Sequence, residues 1–233
     1  MKDQLTKKIE SQFACNASAQ YFLKNIMKNA EVYLFGGAVR DYLDGKIDAS
    51  RDIDIVVESN TNTSIDILEI IKQLNDTTFK INRFNGYKIN FNNQLYVDIW
   101  NLLDTWAFKT NEIEPSALNL MKSVYLNIDA LVYSLNNSTY LNNCDIIYEN
   151  TIKNNKLDIV FDKTPYEDLN LLRALVFQKK YSLKFSQKLS NRIIQYIREN
   201  ENSVIDNFMK IQIIHYNQVV ISNNEIKNII NKL

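Results

Sequence analysis

Residues 34–57 read LFGGAVRDYLDGKIDASRDIDIVV, and the order of residue types in this stretch decides the fold. A β-type run, EVYLF at 31–35, breaks at Gly36-Gly37. A helical pattern resumes over 38–44 and stops at Gly45, and RDIDIVV at 51–57 then alternates polar and apolar as a strand does. The chain holds four glycines, and Gly36, Gly37 and Gly45 all fall here. Glycine serves where a backbone needs positive φ or must approach something closely. A Gly-Gly pair between a strand and a helix turns backbone N–H groups outward, which suits an anion such as a triphosphate as well as a plain tight turn. In Asp52-Ile53-Asp54, side chains two apart on a strand share a face. Both carboxylates point one way, while Ile53, Ile55 and Val57 point to the core. Neighbouring carboxylates repel unless a cation lies between them. Mg²⁺, which takes hard oxygen ligands and bridges to phosphates, is the natural occupant, and a solvated acidic edge is the plain alternative.

Upstream of this stretch, 3–14 and 18–29 have helical spacing, with Phe22, Ile26 and Met27 supplying part of an apolar face. Downstream, a helix is predicted from Thr63, with Ile67, Ile70, Ile71 and Leu74 on one side and Asp66 completing a weak capping box. Strands are predicted at 78–82, 87–91 and 94–100, joined by turns at Asn85-Gly86 and Asn92-Asn93. A short helix and then a β run near 124–133 follow. From about 166 the pattern turns helical: Leu171, Leu172, Leu175 and Val176 form one stripe, Leu189, Ile193 and Ile197 the next, and the tail 203–233 continues it. The fold class is therefore α+β: a mixed β-sheet with flanking helices, then an all-helical part. The boundary falls within 135–165 and is set at 140/141, giving domains 1–140 and 141–233.

The strand QLYVDIW at 94–100 adds a third carboxylate. Leu95, Val97 and Ile99 make one face and Tyr96, Asp98 and Trp100 the other, so Asp98 is an acid in an apolar strand, costly there unless paired or metal-bound. Two carboxylates with a third on a neighbouring strand are what two-metal nucleotidyl transfer needs.

Composition sets outer bounds. With 233 residues, 45% hydrophobic and 23% charged, the chain can bury a real core. Lys+Arg and Asp+Glu both number 27, which argues against an extended nucleic-acid footprint without excluding RNA. Cys15 and Cys144 are too few for a disulfide framework and lack metal-site spacing. No signal-peptide core or membrane-length apolar run is visible, so a cytoplasmic protein without a membrane partner is expected.

The 34–57 stretch resembles the head-domain signature of the class II tRNA nucleotidyltransferase and poly(A) polymerase family, within the polymerase-β-like nucleotidyltransferase superfamily. The pattern Gly-Gly-x-x-Arg-Asp, a short helix, Leu-x-Gly, a loop and Asp-x-Asp is matched in order by Gly36, Gly37, Arg40, Asp41, Gly45, Asp52 and Asp54. NIDALVY at 127–133 resembles the family's Thr-Ile-Asn-Ala-Leu-Ala-Tyr, and LLRALVFQKKYSLKF at 171–185 resembles the start of its helical neck. The resemblance implies a metal-dependent enzyme that moves a nucleoside monophosphate from an NTP, ATP or CTP, onto the 3′ hydroxyl of an RNA and releases pyrophosphate. Asp52, Asp54 and Asp98 would be catalytic and hold Mg²⁺ or Mn²⁺. Gly36 and Gly37 would cradle the triphosphate, and Arg40 and Asp41 would organise that loop and touch the nucleotide. A helical neck would close over the nucleotide, with Glu167, Asn170 and Arg173 selecting the base.

The departures are as informative. The family's Arg-Arg-Asp-Phe is here Ser123-Val124-Tyr125-Leu126, and its neck acid and arginine are Glu167 and Asn170, leaving Arg173 one turn on. Altered nucleotide selectivity is therefore expected. An acceptor other than RNA (a protein, a small molecule or a second nucleotide) stays open, as does a non-catalytic nucleotide-binding module. His215 and the pair Trp100 and Trp106 are expected to be structural. Lys179, Lys180, Lys184, Lys188 and Arg192 read either as a solvated helix face or as a guide for an RNA backbone.

Overall fold

The computed structural model describes residues 3–46, 52–59, 65–92, 95–200 and 203–233. The chain divides into two units: Met1–Val124 with Asp129–Ile146, and Tyr125–Ile128 with Ile147–Leu233. The division passes a few residues beyond the 140/141 boundary read from sequence, and it hands one short internal segment to the second unit.

The first unit opens with helices α1 (Gln4–Ala14) and α2 (Ala17–Asn29). The Asn16 side chain caps α2 by accepting from the Ala19 N–H at 3.0 Å, giving one orphan donor of the first turn a partner. Then come β1 (Ala30–Phe35), α3 (Gly37–Leu43), β2 (Ile53–Ser59), α4 (Ile67–Lys72), β3 (Thr77–Ile81), β4 (Tyr87–Phe91), β5 (Leu95–Asn101), α5 (Trp106–Lys109), β6 (Val132–Ser134) and β7 (Thr139–Tyr140). Among the described residues the strands form one sheet in the order β3-β4-β5-β2-β1-β6-β7. β2 and β5 run parallel and the other pairs antiparallel, so the sheet is mixed as expected.

Alternation sorts the sheet's two faces. Val32, Leu34, Ile53, Ile55, Val57, Ile89, Phe91, Val97 and Ile99 are buried, and their register places them on one face. Phe13 of α1 and Phe22 of α2 meet the Phe91 ring there at 6.4 and 5.7 Å between centroids. Each such side chain, fully buried, contributes ~1.5–3 kcal/mol, which is what holds the two helices on that face. The other face carries Lys88, Asp54, Asp98 and Trp100. The β3–β4 turn is closed by the Asn82 side chain, which accepts from the N–H groups of Phe84 (2.8 Å) and Gly86 (3.0 Å). A Cβ on Gly86 would come within 2.7 Å of that same side chain, so a larger residue would have to displace the amide that closes the turn.

Two expectations are corrected. Helix α4 starts at Ile67 because Asp66 takes the N-cap, accepting from Glu69 N–H at 2.9 Å; Thr63, the predicted start, lies outside the described residues, as do Arg51, Asn93 and Gln94. The β run near 124–133 is a strand only at β6. Leu126 makes an isolated bridge to Ile159, and Asn127–Asp129 form a 3₁₀ turn. The Asn127 side chain accepts from Asp158 N–H at 2.9 Å and so commits this segment to a partner inside the second unit.

Helix α6 (Cys144–Lys153) spans the division. The second unit continues through β8 (Lys156–Leu157), α7 (Glu167–Tyr181), β9 (Lys184–Phe185), α8 (Gln187–Glu199), α9 (Val204–Tyr216) and α10 (Asn223–Ile230), with β8 and β9 paired parallel. Tyr196 and Phe208 stack between α8 and α9 at 5.6 Å. Buried Gln212 accepts from the N–H groups of Val220 (2.9 Å) and Ile221 (2.8 Å), fixing the turn into α10. No described helix is long and apolar enough to cross a membrane.

Candidate active site

The polar face of the sheet gathers the predicted acids of the first unit. Asp54 of β2 and Asp98 of β5 are register partners in the parallel pair, and Lys88 of β4 is the register partner of Asp98 on its other side. Asp52 immediately precedes β2, two residues from Asp54, and its contact with Lys88 places its carboxylate on this side. The Lys88 ammonium donates to Asp52 Oδ2 and lies 3.8 Å from Asp98 Oδ2. Burial pushes the Asp98 carboxyl above its usual range; Lys88 pulls it partly back and Asp52 adds to the rise. Burial works against the Lys88 charge, yet the bond to Asp52 and the fields of Asp98, Asp52 and Asp54 outweigh it and hold that ammonium more firmly protonated than usual.

These groups suit a hard divalent cation by donor chemistry. Three carboxylates share one face, and a positive charge has already been drawn among them in the form of Lys88. As the side chains stand, no cluster of three or more acidic, histidine or cysteine groups among the described residues closes around a single point. Ligation would need the carboxylates to turn from the ammonium toward the ion.

The glycine turn lies at the end of β1. Gly36 has φ 61° and ψ −114°, a backbone that only glycine adopts without strain, and its N–H donates to Leu131 O at 2.8 Å. Gly37 is the first residue of α3. Arg40 is 1% exposed: its guanidinium donates to Asp129 Oδ1 and reaches Asp41 Oδ1 at 3.4 Å. Arg40 thus faces inward and ties α3 to the turn before β6, an organising position away from the surface. Sequence reading missed Asp129 and Lys88. Lys88 was legible in principle, since parity on β4 puts it on the Asp98 face. Nothing local marks Asp129 as the partner of an arginine 89 residues away.

In the second unit, the Asn170 amide nitrogen is engaged with Thr164 Oγ1 (2.8 Å) and Pro165 O (3.2 Å). Glu167 pairs with Arg192 of α8, and the Arg173 guanidinium lies 5.8 Å from the Phe177 ring. The basic cluster is largely partnered within this unit. Lys179 contacts Glu225 at 2.8 Å and Lys188 contacts Asp162 at 3.0 Å, while Lys180 lies over the Tyr181 ring. His215 helps line an open, mostly apolar depression with Tyr166, Leu169, Ile211 and Ile214. In the first unit Trp100 packs edge-on to Phe35 and donates to Thr105 Oγ1 at 3.0 Å, and Trp106 packs on Phe84.

No family model matches this sequence, and no curated protein does either. Solved structures do. A tRNA-processing enzyme (apo form I) superposes with a TM-score of 0.57 at 17% identity over 89% of this chain and 52% of its own. A CCA-adding enzyme with CTP gives 0.54 at 19% identity, covering 80% of this chain and 44% of that one. The chain has the fold of the CCA-adding enzymes. The Thermotoga maritima CCA-adding enzyme complexed with tRNA_CCA agrees, at a TM-score of 0.56 and 20% identity over 80% of this chain and 41% of its own. The shared fold is a mixed sheet with flanking helices followed by helices, as expected from the sequence, and the chain spans about half the length of the CCA-adding and tRNA-processing enzymes it matches.

Proposed function

We propose that this chain is a metal-dependent nucleotidyltransferase that transfers a nucleoside monophosphate from an NTP to an RNA 3′ hydroxyl. The observation that carries this reading is the facing of Asp54 and Asp98 across the parallel β2–β5 pair, with Asp52 bonded into the same cluster through Lys88. The fold adds support, because CCA-adding enzymes that share it have been captured with CTP, with ATP and with tRNA_CCA.

In this reading Asp52, Asp54 and Asp98 hold Mg²⁺ or Mn²⁺. When bound, the ion supplies activation of the acceptor hydroxyl and neutralisation of the triphosphate charge. The acceptor oxygen bonds to the α-phosphorus, the bond to the β-phosphate oxygen breaks, pyrophosphate leaves and the hydroxyl proton passes to solvent. In this reading the Gly36-Gly37 turn lets the triphosphate approach the backbone at Gly37, the Gly36 N–H being committed to Leu131 O, and the buried Arg40–Asp129 pair keeps that turn in place. Base selection would fall to Glu167 and Arg173. The Asn170 amide nitrogen is already used within its own unit, which leaves its carbonyl as the only group for a base edge.

Each labelled NTP in turn, incubated with the protein, Mg²⁺ and total RNA, tests the proposal. Label at RNA 3′ ends, lost with Asp54→Ala, is the expected result. Label on protein or on a small molecule would replace RNA as the acceptor, and no incorporation from any NTP would overturn the enzyme assignment.

A further inference from the structure

Lys88 does not behave as an ordinary cross-strand ion pair. Its register partner is Asp98, the neighbour a simple β-sheet charge pair would use. The ammonium instead stays 3.8 Å from Asp98 and bonds to Asp52, which precedes β2, a strand separated from β4 by β5. It therefore reaches past Asp98 and across β5 to Asp52, over the polar face that Asp54 and Asp98 share. All the participants keep access to water: Lys88 is 49% exposed, Asp52 40% and Asp98 32%. A long flexible stem lets the ammonium leave without moving the backbone.

We propose that Lys88 is a tethered counter-cation of the catalytic carboxylates. It holds Asp52 and Asp98 in one cluster while no divalent ion is bound, gives them up when one arrives, and so sets how much divalent ion the site requires. This rests on the metal-site reading above, and the test separates the two.

The experiment is a Mn²⁺ titration of the full chain at low salt without nucleotide, following the free-ion paramagnetic resonance signal. It compares wild type, Lys88→Met, Lys88→Arg and Asp54→Ala, with folding checked by circular dichroism. Removing a competing charge about one ion-pair distance away should tighten Mn²⁺ binding by about tenfold in Lys88→Met, less as salt screens the interaction. Lys88→Arg, which keeps the charge, should stay near wild type. The melting temperature of Lys88→Met should fall without metal and recover with Mn²⁺, because an ion bound by the folded state takes over the neutralising role. A salt bridge of purely structural value would lose stability with no such recovery. Equal Mn²⁺ affinity in wild type and Lys88→Met, with binding abolished by Asp54→Ala, would overturn the role of Lys88 and leave the metal site standing. No Mn²⁺ binding to any form would overturn both.

Discussion

Arg40 is among the largest fully buried side chains of the described residues, and its charge is matched by Asp129 and Asp41. A buried ion pair adds little over a well-packed apolar pair, yet removing one partner strands the other charge. Arg40→Met or Asp129→Asn alone should therefore cost ~3–5 kcal/mol in urea unfolding, and Arg40→Met with Asp129→Leu clearly less than the sum. Near-additive losses would show that the two side chains act separately. At Gly36, where φ is 61°, valine would force a β-branched residue into the left-handed region. Gly36→Val should lose ~1–2 kcal/mol of stability and weaken NTP binding together, read by thermal melts and nucleotide titration. Asp54 obeys the opposite logic. Removing one acid from a repelling set leaves the fold intact. In the proposed reaction, turnover by Asp54→Ala should fall by ~10³ or more, since the metal clamp it would help to form supplies several kcal/mol. Near-normal incorporation by folded Asp54→Ala would exclude it from the site.

At the scale of elements, strands were easy to place and connections were not. Period-two alternation over 87–91 and 94–100 specifies β4 and β5 almost to the residue, because each strand buries one face and a shift by one would turn Asp98 into the core. The segment 124–133 looks equally β-like, but its hydrogen bonds go to a loop that local pattern cannot name. Helix α10 shows how a short helix is held. Ser222 and Glu225 form a full capping box, and Glu225 also pairs with Lys179 of α7. The hydrogen bond to Lys179, joined by those from Ser222, lowers the Glu225 pKa from 4.5 to about 2. A carboxyl whose pKa is depressed by folding stabilises above its unfolded value, and that stabilisation disappears as pH falls through the folded one. Wild type should thus melt above Glu225→Gln at pH 6, and the gap should close as pH falls from 4.5 toward 2. A gap independent of pH would mean that the contacts of Glu225 do not depend on its charge.

At the scale of the whole molecule, the predicted behaviour is loose nucleotide choice. An arginine presents a fixed fork of donors to a base edge, whereas an asparagine amide can reverse its pattern or, as with Asn170, be used elsewhere. Under the proposed function the chain should extend RNA with one NTP preferentially or several loosely, and Arg173→Ala should shift the relative use of the four NTPs more than it shifts the melting temperature. Sequencing of extended 3′ ends decides it: an ordered C-C-A addition by the wild-type chain would contradict this expectation.

Most of what is local in sequence or periodic could be read from the sequence alone. The α+β class, the strand–glycine–helix turn at 31–44, the shared face of Asp52 and Asp54 and the parity of Asp98 all follow from backbone geometry that repeats every two or 3.6 residues. Tertiary structure decided what depends on distant partners. It made Asp98 the lateral neighbour of Asp54, since register between parallel strands is set by the crossover and the packed face rather than by either strand alone. It turned Arg40 inward onto Asp129, drew Asn170 to its own loop and placed Lys88 among the acids. A side chain's charge is written in the sequence; the charge that answers it is chosen by whichever group folding brings within a few ångströms, where the interaction is strong enough to matter.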